Sequence, residues 1–174
     1  MDTPLMSKLP QTHSRTFARY WALRLLYQRE LTHRDLNEML EDSSQVLPQD
    51  QIEDCLHSCD NRDACEQFNF FELFAAEPQG YALDIANGVE KQQTDIDHLL
   101  SSALENWSLY RLPPVDRAIV RMGTWEILYN DDVPDSVSIN EAVTLAKEFG
   151  GEDSSKFING VLGKIAKLKK GAHD

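Results

Sequence analysis

The sequence predicts an all-α protein, and three observations carry that expectation. Apolar residues return at helical spacing in most of the long segments, and no segment alternates apolar and polar residues over a useful strand length. The breaks between periodic runs carry helix-ending residues: Pro78 with Gly80, Pro113-Pro114, and Gly150-Gly151. At 174 residues the chain suits a single domain, burying roughly two-thirds of the surface its unfolded form exposes.

Residues 14–31 contain no Gly or Pro and form the first helix. At 100° per residue, Ala22, Leu23, Leu26 and Tyr27 share one side while Phe17, Trp21 and Leu25 share the other. A helix that is apolar on two faces is covered twice or meets a partner. Residues 35–77 are irregular, with a short helix near 35–41, a polar stretch around Pro48, and a short aromatic helix near 66–76 holding Phe68, Phe70, Phe71 and Phe74. Docking of 66–76 over Phe17, Trp21 and Leu25 would give the first helix its second cover, with 41–63 left as an anionic loop; a homodimer through Trp21 is the competing use of that face. Tyr81, Ile85, Val89, Gln92, Ile96, Leu99 and Ala103 then mark a helix through residue 105. Pro113-Pro114 suit a first helical turn, followed by Ala118, Ile119, Met122, Trp125 and Leu128 to about Tyr129. Ser138-Ile139-Asn140-Glu141 reads as a capping box opening a helix that ends in a left-handed glycine cap at Gly150-Gly151. Asp153 or Ser154 caps the last helix, whose apolar face is Phe157, Ile158, Val161, Leu162 and Ile165.

The formal charge of −12 is unevenly placed. Residues 35–77 hold twelve acids and one base, Arg62, so the rest of the chain is close to neutral. Residues 1–34 carry six bases against two acids, and 156–174 carry five lysines against Asp174. Both ends are thus cationic, which keeps an anionic partner in play. Cys55, Cys59 and Cys65 with His57 match the spacing of no common zinc site, and free thiols in a reducing cytosol are the plainer reading. No apolar run approaches the roughly 20 residues that span a bilayer, and the first residues lack the pattern of a secretion signal, so a cytoplasmic protein with no membrane partner is expected. Phosphate-binding loops, nucleophile elbows, zinc-protease and calcium-loop patterns are all missing, and the five histidines are scattered. Nothing in the sequence reads as catalytic, and no cofactor or metal is expected.

Three stretches carry a resemblance. They are Leu112-Pro113-Pro114-Val115-Asp116-Arg117-Ala118-Ile119-Val120-Arg121-Met122, then Val133-Pro134 with Ile139-Asn140-Glu141-Ala142-Val143-Thr144-Leu145-Ala146-Lys147, and then Phe149-Gly150-Gly151-Glu152-Asp153-Ser154-Ser155-Lys156-Phe157-Ile158-Asn159-Gly160-Val161-Leu162. Together with Arg15, Ala18, Arg19, Ala22, Leu23, Leu26 and Tyr27 they resemble the NusB family of transcription antitermination factors. The resemblance implies two packed three-helix bundles, here with an acidic insertion, in one domain over 1–174. Residues 14–77 would hold the N-terminal helices and the insertion, and 81–170 the C-terminal helical bundle. It also implies binding to the boxA element of nascent ribosomal RNA jointly with NusE, a small-subunit ribosomal protein, within the RNA polymerase elongation complex. Members of the family occur as monomers and as dimers.

Carried over position by position, Arg15 and Arg19 match the family's basic first-helix motif and would hold the RNA backbone. Lys156 and Phe157 match the basic and aromatic pair of the last helix. Phe149 and Asp153 match neighbouring positions, where the acid would temper RNA affinity by repulsion. Aromatic rings and arginines suit single-stranded RNA, whose splayed bases stack and whose phosphates pair. Against this stand a core role for Phe149 and Phe157, both on apolar stripes, and an ordinary surface role for the i,i+4 arginines. The family's arginine cluster is thinner here, at Ser14-Arg15-Thr16-Phe17, which implies weaker RNA binding by the protein alone. Two other readings compete: the NusB-like domain that positions RNA for an RNA cytosine methyltransferase, and a protein-binding helical scaffold without RNA affinity.

Overall fold

The computed structural model describes residues 11–42, 80–105 and 107–171. Among these are seven α-helices and no strand: α1 (Gln11–Thr32), α2 (Leu36–Asp42), α3 (Tyr81–Lys91), α4 (Gln93–Ala103), α5 (Pro114–Tyr129), α6 (Asp135–Phe149) and α7 (Ser154–Gly171), with a 3-10 turn at Leu109–Arg111 before α5.

The two apolar faces of α1 explain its place. Ala22, Leu23 and Leu26 enter the main core with Ile85 and Val89 of α3, Ile96 and Leu100 of α4, Ile119 and Met122 of α5, Leu145 of α6, and Leu162 and Ile165 of α7. On the other face Leu25 packs with Leu36 and Met39 of α2 and Ala86 of α3, while Ala18 and Trp21 pack with Ala82. The second cover of α1 is therefore supplied at least in part by α2 and α3. Residues 66–76, expected there, lie outside the described residues, as do Cys55, Cys59 and Cys65. The main core also crosses the division expected between residues 77 and 81, because α1 packs on both α3 and α5.

Local chemistry sets the reversal between α1 and α2. His33 takes a left-handed conformation at φ 56° and its N–H still donates to the Arg29 carbonyl. Asp35 Oδ1 then accepts the Glu38 N–H at 2.9 Å and so caps α2, leaving the Leu36 N–H to Glu90 Oε1 at 3.2 Å.

Three expectations are corrected. The periodicity through 81–105 is not one helix. It bends at Gln92 (φ −103°, ψ 12°), although hydrogen bonding continues from Gln92 N–H to Gly88 O and from Ile96 N–H to Gln92 O. Ser138 does not cap α6, which begins three residues earlier, after Pro134, with Asp135 in its first turn. Its hydroxyl is buried without a hydrogen-bond partner, and Glu141 reaches α1 instead. Nor does Gly150 form a left-handed cap: it is extended (φ −89°, ψ 178°). A Cβ there would stand 2.6 Å from the Ala146 carbonyl oxygen and 2.7 Å from Ser154 Oγ, so close approach explains the glycine.

Candidate nucleic-acid interface

The N-terminal half of α1 lies between α3, α5 and α6, and its polar residues show how. Thr16 Oγ1 donates to Glu141 Oε1 of α6 at 3.2 Å. One turn on, the Tyr20 hydroxyl donates to Glu148, and the Tyr20 ring meets Phe149 edge-on with centroids 5.7 Å apart and planes at 75°. Polar and aromatic contacts therefore run in step along α1 and α6 and end at the C-terminus of α6.

Arg15 and Arg19 share a stripe, as expected, and the guanidinium carbon of each lies 5.5 Å from the centroid of the Tyr81 ring. Their surroundings differ. Arg15 is exposed, whereas Arg19 is only 3% exposed. Arg19 Nε donates to Glu126 Oε1 of α5 at 2.8 Å, and its Nη1 lies 3.5 Å from Glu141 Oε2. The Arg19 guanidinium is thus turned inward onto two carboxylates, one on α5 and one on α6, where the sequence-based expectation has it holding an RNA backbone. Glu126, 1% exposed, also accepts the Tyr81 hydroxyl, which in turn accepts from Asn130 Nδ2 at 2.9 Å. Burial pushes the Glu126 carboxyl above its ordinary range, while the Arg19 charge and the Tyr81 and Arg19 hydrogen bonds pull it back. Tyr81 is pushed up as well, first by burial and then by the Glu126 charge.

The remaining expected site residues gather at the α6–α7 junction. Phe149 ends α6 with 43% of its surface exposed. Asp153 is exposed and precedes α7, its carbonyl accepting the Phe157 N–H at 3.1 Å. Lys156 is exposed, and Phe157 is half-buried against the main core. A buried anchor holds this junction: Ser154 Oγ accepts the Gly151 N–H at 2.8 Å and donates to Asp116 Oδ2 of α5 at 2.8 Å. Phe149, Asp153, Lys156 and Phe157 thus follow one another through the turn from α6 into the first turn of α7, and Tyr20 of α1 packs on Phe149. Arg15 stands apart from that corner, on the α3 side of α1 above Tyr81.

Sequence reasoning missed Tyr20, Tyr81, Glu126 and Glu141. A readable signal existed for Glu126, a lone acid between Trp125 and Ile127 in an otherwise apolar run. Among the described residues no group of three His, Cys, Asp or Glu side chains could hold a metal ion, and no helix is long and apolar enough to cross a membrane.

Comparison with known proteins matches residues 16–167 to the model of the NusB family. The transcription antitermination protein NusB of Pseudarthrobacter chlorophenolicus is 53% identical over 89 residues, which are 51% of this chain and 65% of that protein. That stretch falls just short of two-thirds of the relative's length. Its namesake in Clostridium botulinum is 37% identical over 152 residues, 87% of this chain and 99% of that one. Among solved structures, T. maritima NusB superposes with a TM-score of 0.64 at 33% identity, covering 92% of each chain.

Proposed function

This chain belongs to the NusB family, and from that premise we propose that it is a non-enzymatic, cytoplasmic transcription antitermination factor. It binds boxA-type single-stranded RNA of nascent ribosomal transcripts together with NusE, and the complex joins the RNA polymerase elongation complex. One observation supports the RNA reading: an exposed arginine on the cationic first helix lies about one turn before Tyr20, which packs on Phe149 at the end of α6, and an exposed Lys156 follows in the first turn of α7. Arg15 and Lys156 are the phosphate contacts in this reading. Phe149 offers ring surface for a base, Phe157 combines core packing with a partly open face, and Asp153 tempers affinity. Arg19 acts from inside, by fixing α1 on α5 and α6.

A thin set of cations favours shared binding, since each neutralised phosphate of a single strand contributes only about 0.7 to the salt slope. Fluorescence anisotropy with boxA RNA should therefore give weak binding alone and markedly tighter binding with NusE. Arg15→Ala should lower the slope of log K against log salt by roughly 0.7 with little loss of stability. An unchanged slope would place the RNA elsewhere, and no boxA binding even with NusE would overturn the reading.

A further inference from the structure

Arg15 and Tyr81 meet where α1 passes the first turn of α3. The tyrosine ring is held from several directions: its hydroxyl donates to Glu126 of α5 and accepts from Asn130 beyond α5, and the buried Arg19 guanidinium carbon lies 5.5 Å from the ring centroid. The exposed Arg15 guanidinium carbon lies at the same 5.5 Å from that ring. A cation near an aromatic ring is attracted by the ring quadrupole, which engages its charge without consuming its N–H donors.

We propose that Tyr81 is a positioning residue for RNA capture, a fixed aromatic platform that holds the Arg15 guanidinium ready for a phosphodiester. The proposal rests on the reading that Arg15 contacts RNA. An exposed arginine samples many rotamers, and binding must freeze one of them. A ring already locked by partners on α1, on α5 and in the segment after α5 narrows that choice beforehand. The phosphate then meets an arginine whose freedom was largely removed on folding. Neither Arg19 nor Glu126 touches RNA in this arrangement; they act by keeping the ring in place.

A double-mutant cycle on boxA RNA in the presence of NusE tests this, using Arg15→Ala, Tyr81→Leu and the pair. Tyr81→Leu should weaken RNA binding by about 2- to 5-fold, the equivalent of a cation–π contact at an exposed site, and should have no further effect once Arg15 is alanine. Tyr81→Phe, which keeps the ring, should retain most of the affinity. Equal losses in both backgrounds, or no loss, overturn the proposal; a purely structural tyrosine would lower the melting temperature without this dependence on Arg15. Should Tyr81→Leu fail to fold, side-chain proton resonances of Arg15 in the wild-type protein decide instead. Upfield ring-current displacement supports the platform, and random-coil positions overturn it. If Arg15→Ala weakens binding but shows no coupling to Tyr81, only this inference falls. If Arg15→Ala has no effect, the RNA lies elsewhere and this inference falls; if the wild type does not bind RNA, the RNA reading falls and takes this inference with it.

Discussion

Two arginines four residues apart on α1 face opposite media, Arg15 exposed and Arg19 3% exposed against Glu126. Removing a carboxylate and a guanidinium from water costs several kcal/mol per ion, and their attraction offsets this only while both are present. Arg19→Ala or Glu126→Ala should therefore lower the unfolding free energy by about 3–5 kcal/mol each, and the double substitution by less than the sum. Urea titration measures both, and strictly additive losses would mean that the two groups are uncoupled. A pH series adds a second expectation. The folded pKa of Glu126 lies above its ordinary 4.5, so the folded state holds the extra proton between the two values. Stability then falls as pH rises through that window and levels off above it. The stability of the wild type minus that of Glu126→Gln, which cannot titrate, should fall as pH climbs above about 4.5. A difference that stays flat would contradict the raised carboxyl. From the sequence, helical periodicity put Arg15 and Arg19 on one stripe. It gives the phase of a residue on its own helix and not the element facing that phase, so the inward turn of Arg19 was hidden.

The helices themselves were legible wherever apolar spacing was long and bounded by Pro or Gly. The expected helix over 14–31 is α1, and Pro114 opens α5. The start of α6 was misread because Ser-x-x-Glu at 138–141 satisfies a capping pattern that folding uses otherwise. Pro134 and Asp135 can open a helix on their own, and tertiary partners on α1 draw Glu141 away from its own helix end. The two assignments differ in a measurable way. A capping serine replaced by alanine loses about 1 kcal/mol, whereas Ser138 is buried with an unpartnered hydroxyl. Ser138→Ala should thus be neutral or stabilising in thermal unfolding, because it removes a buried polar group that makes no bond. A clear loss would restore the capping role. Gly150 teaches the same lesson, since a glycine in a sequence does not say whether a turn or a crowded neighbour requires it.

At the scale of the molecule, a net charge of −12 hides two cationic ends around a segment of −11 at residues 35–77. Deleting residues 43–63, which begin just past α2, removes five acids and Arg62 from a part of the chain outside the described residues. That deletion should leave the fold intact and raise non-specific RNA affinity at low salt, where repulsion reaches furthest. Unchanged affinity in filter binding, or loss of the fold by circular dichroism, would mean that the segment has another task. The family and its helical plan were legible in the C-terminal half because its motifs pack into the shared core. The polar network around α1 was not, because its partners come from far along the chain. The partners of Arg19, Thr16 and Tyr20 lie 107, 125 and 128 residues downstream. A ribosome adding about 5–20 residues per second makes α1 roughly 5–25 seconds before those glutamates exist. During that interval the main-core face of α1 lacks the cover that α6 and α7 supply, a target for whatever chaperone reaches it. Of the described helices α1 is made earliest and completed late: its polar partners arrive with α6, and Leu162 and Ile165 close over its apolar face only with α7.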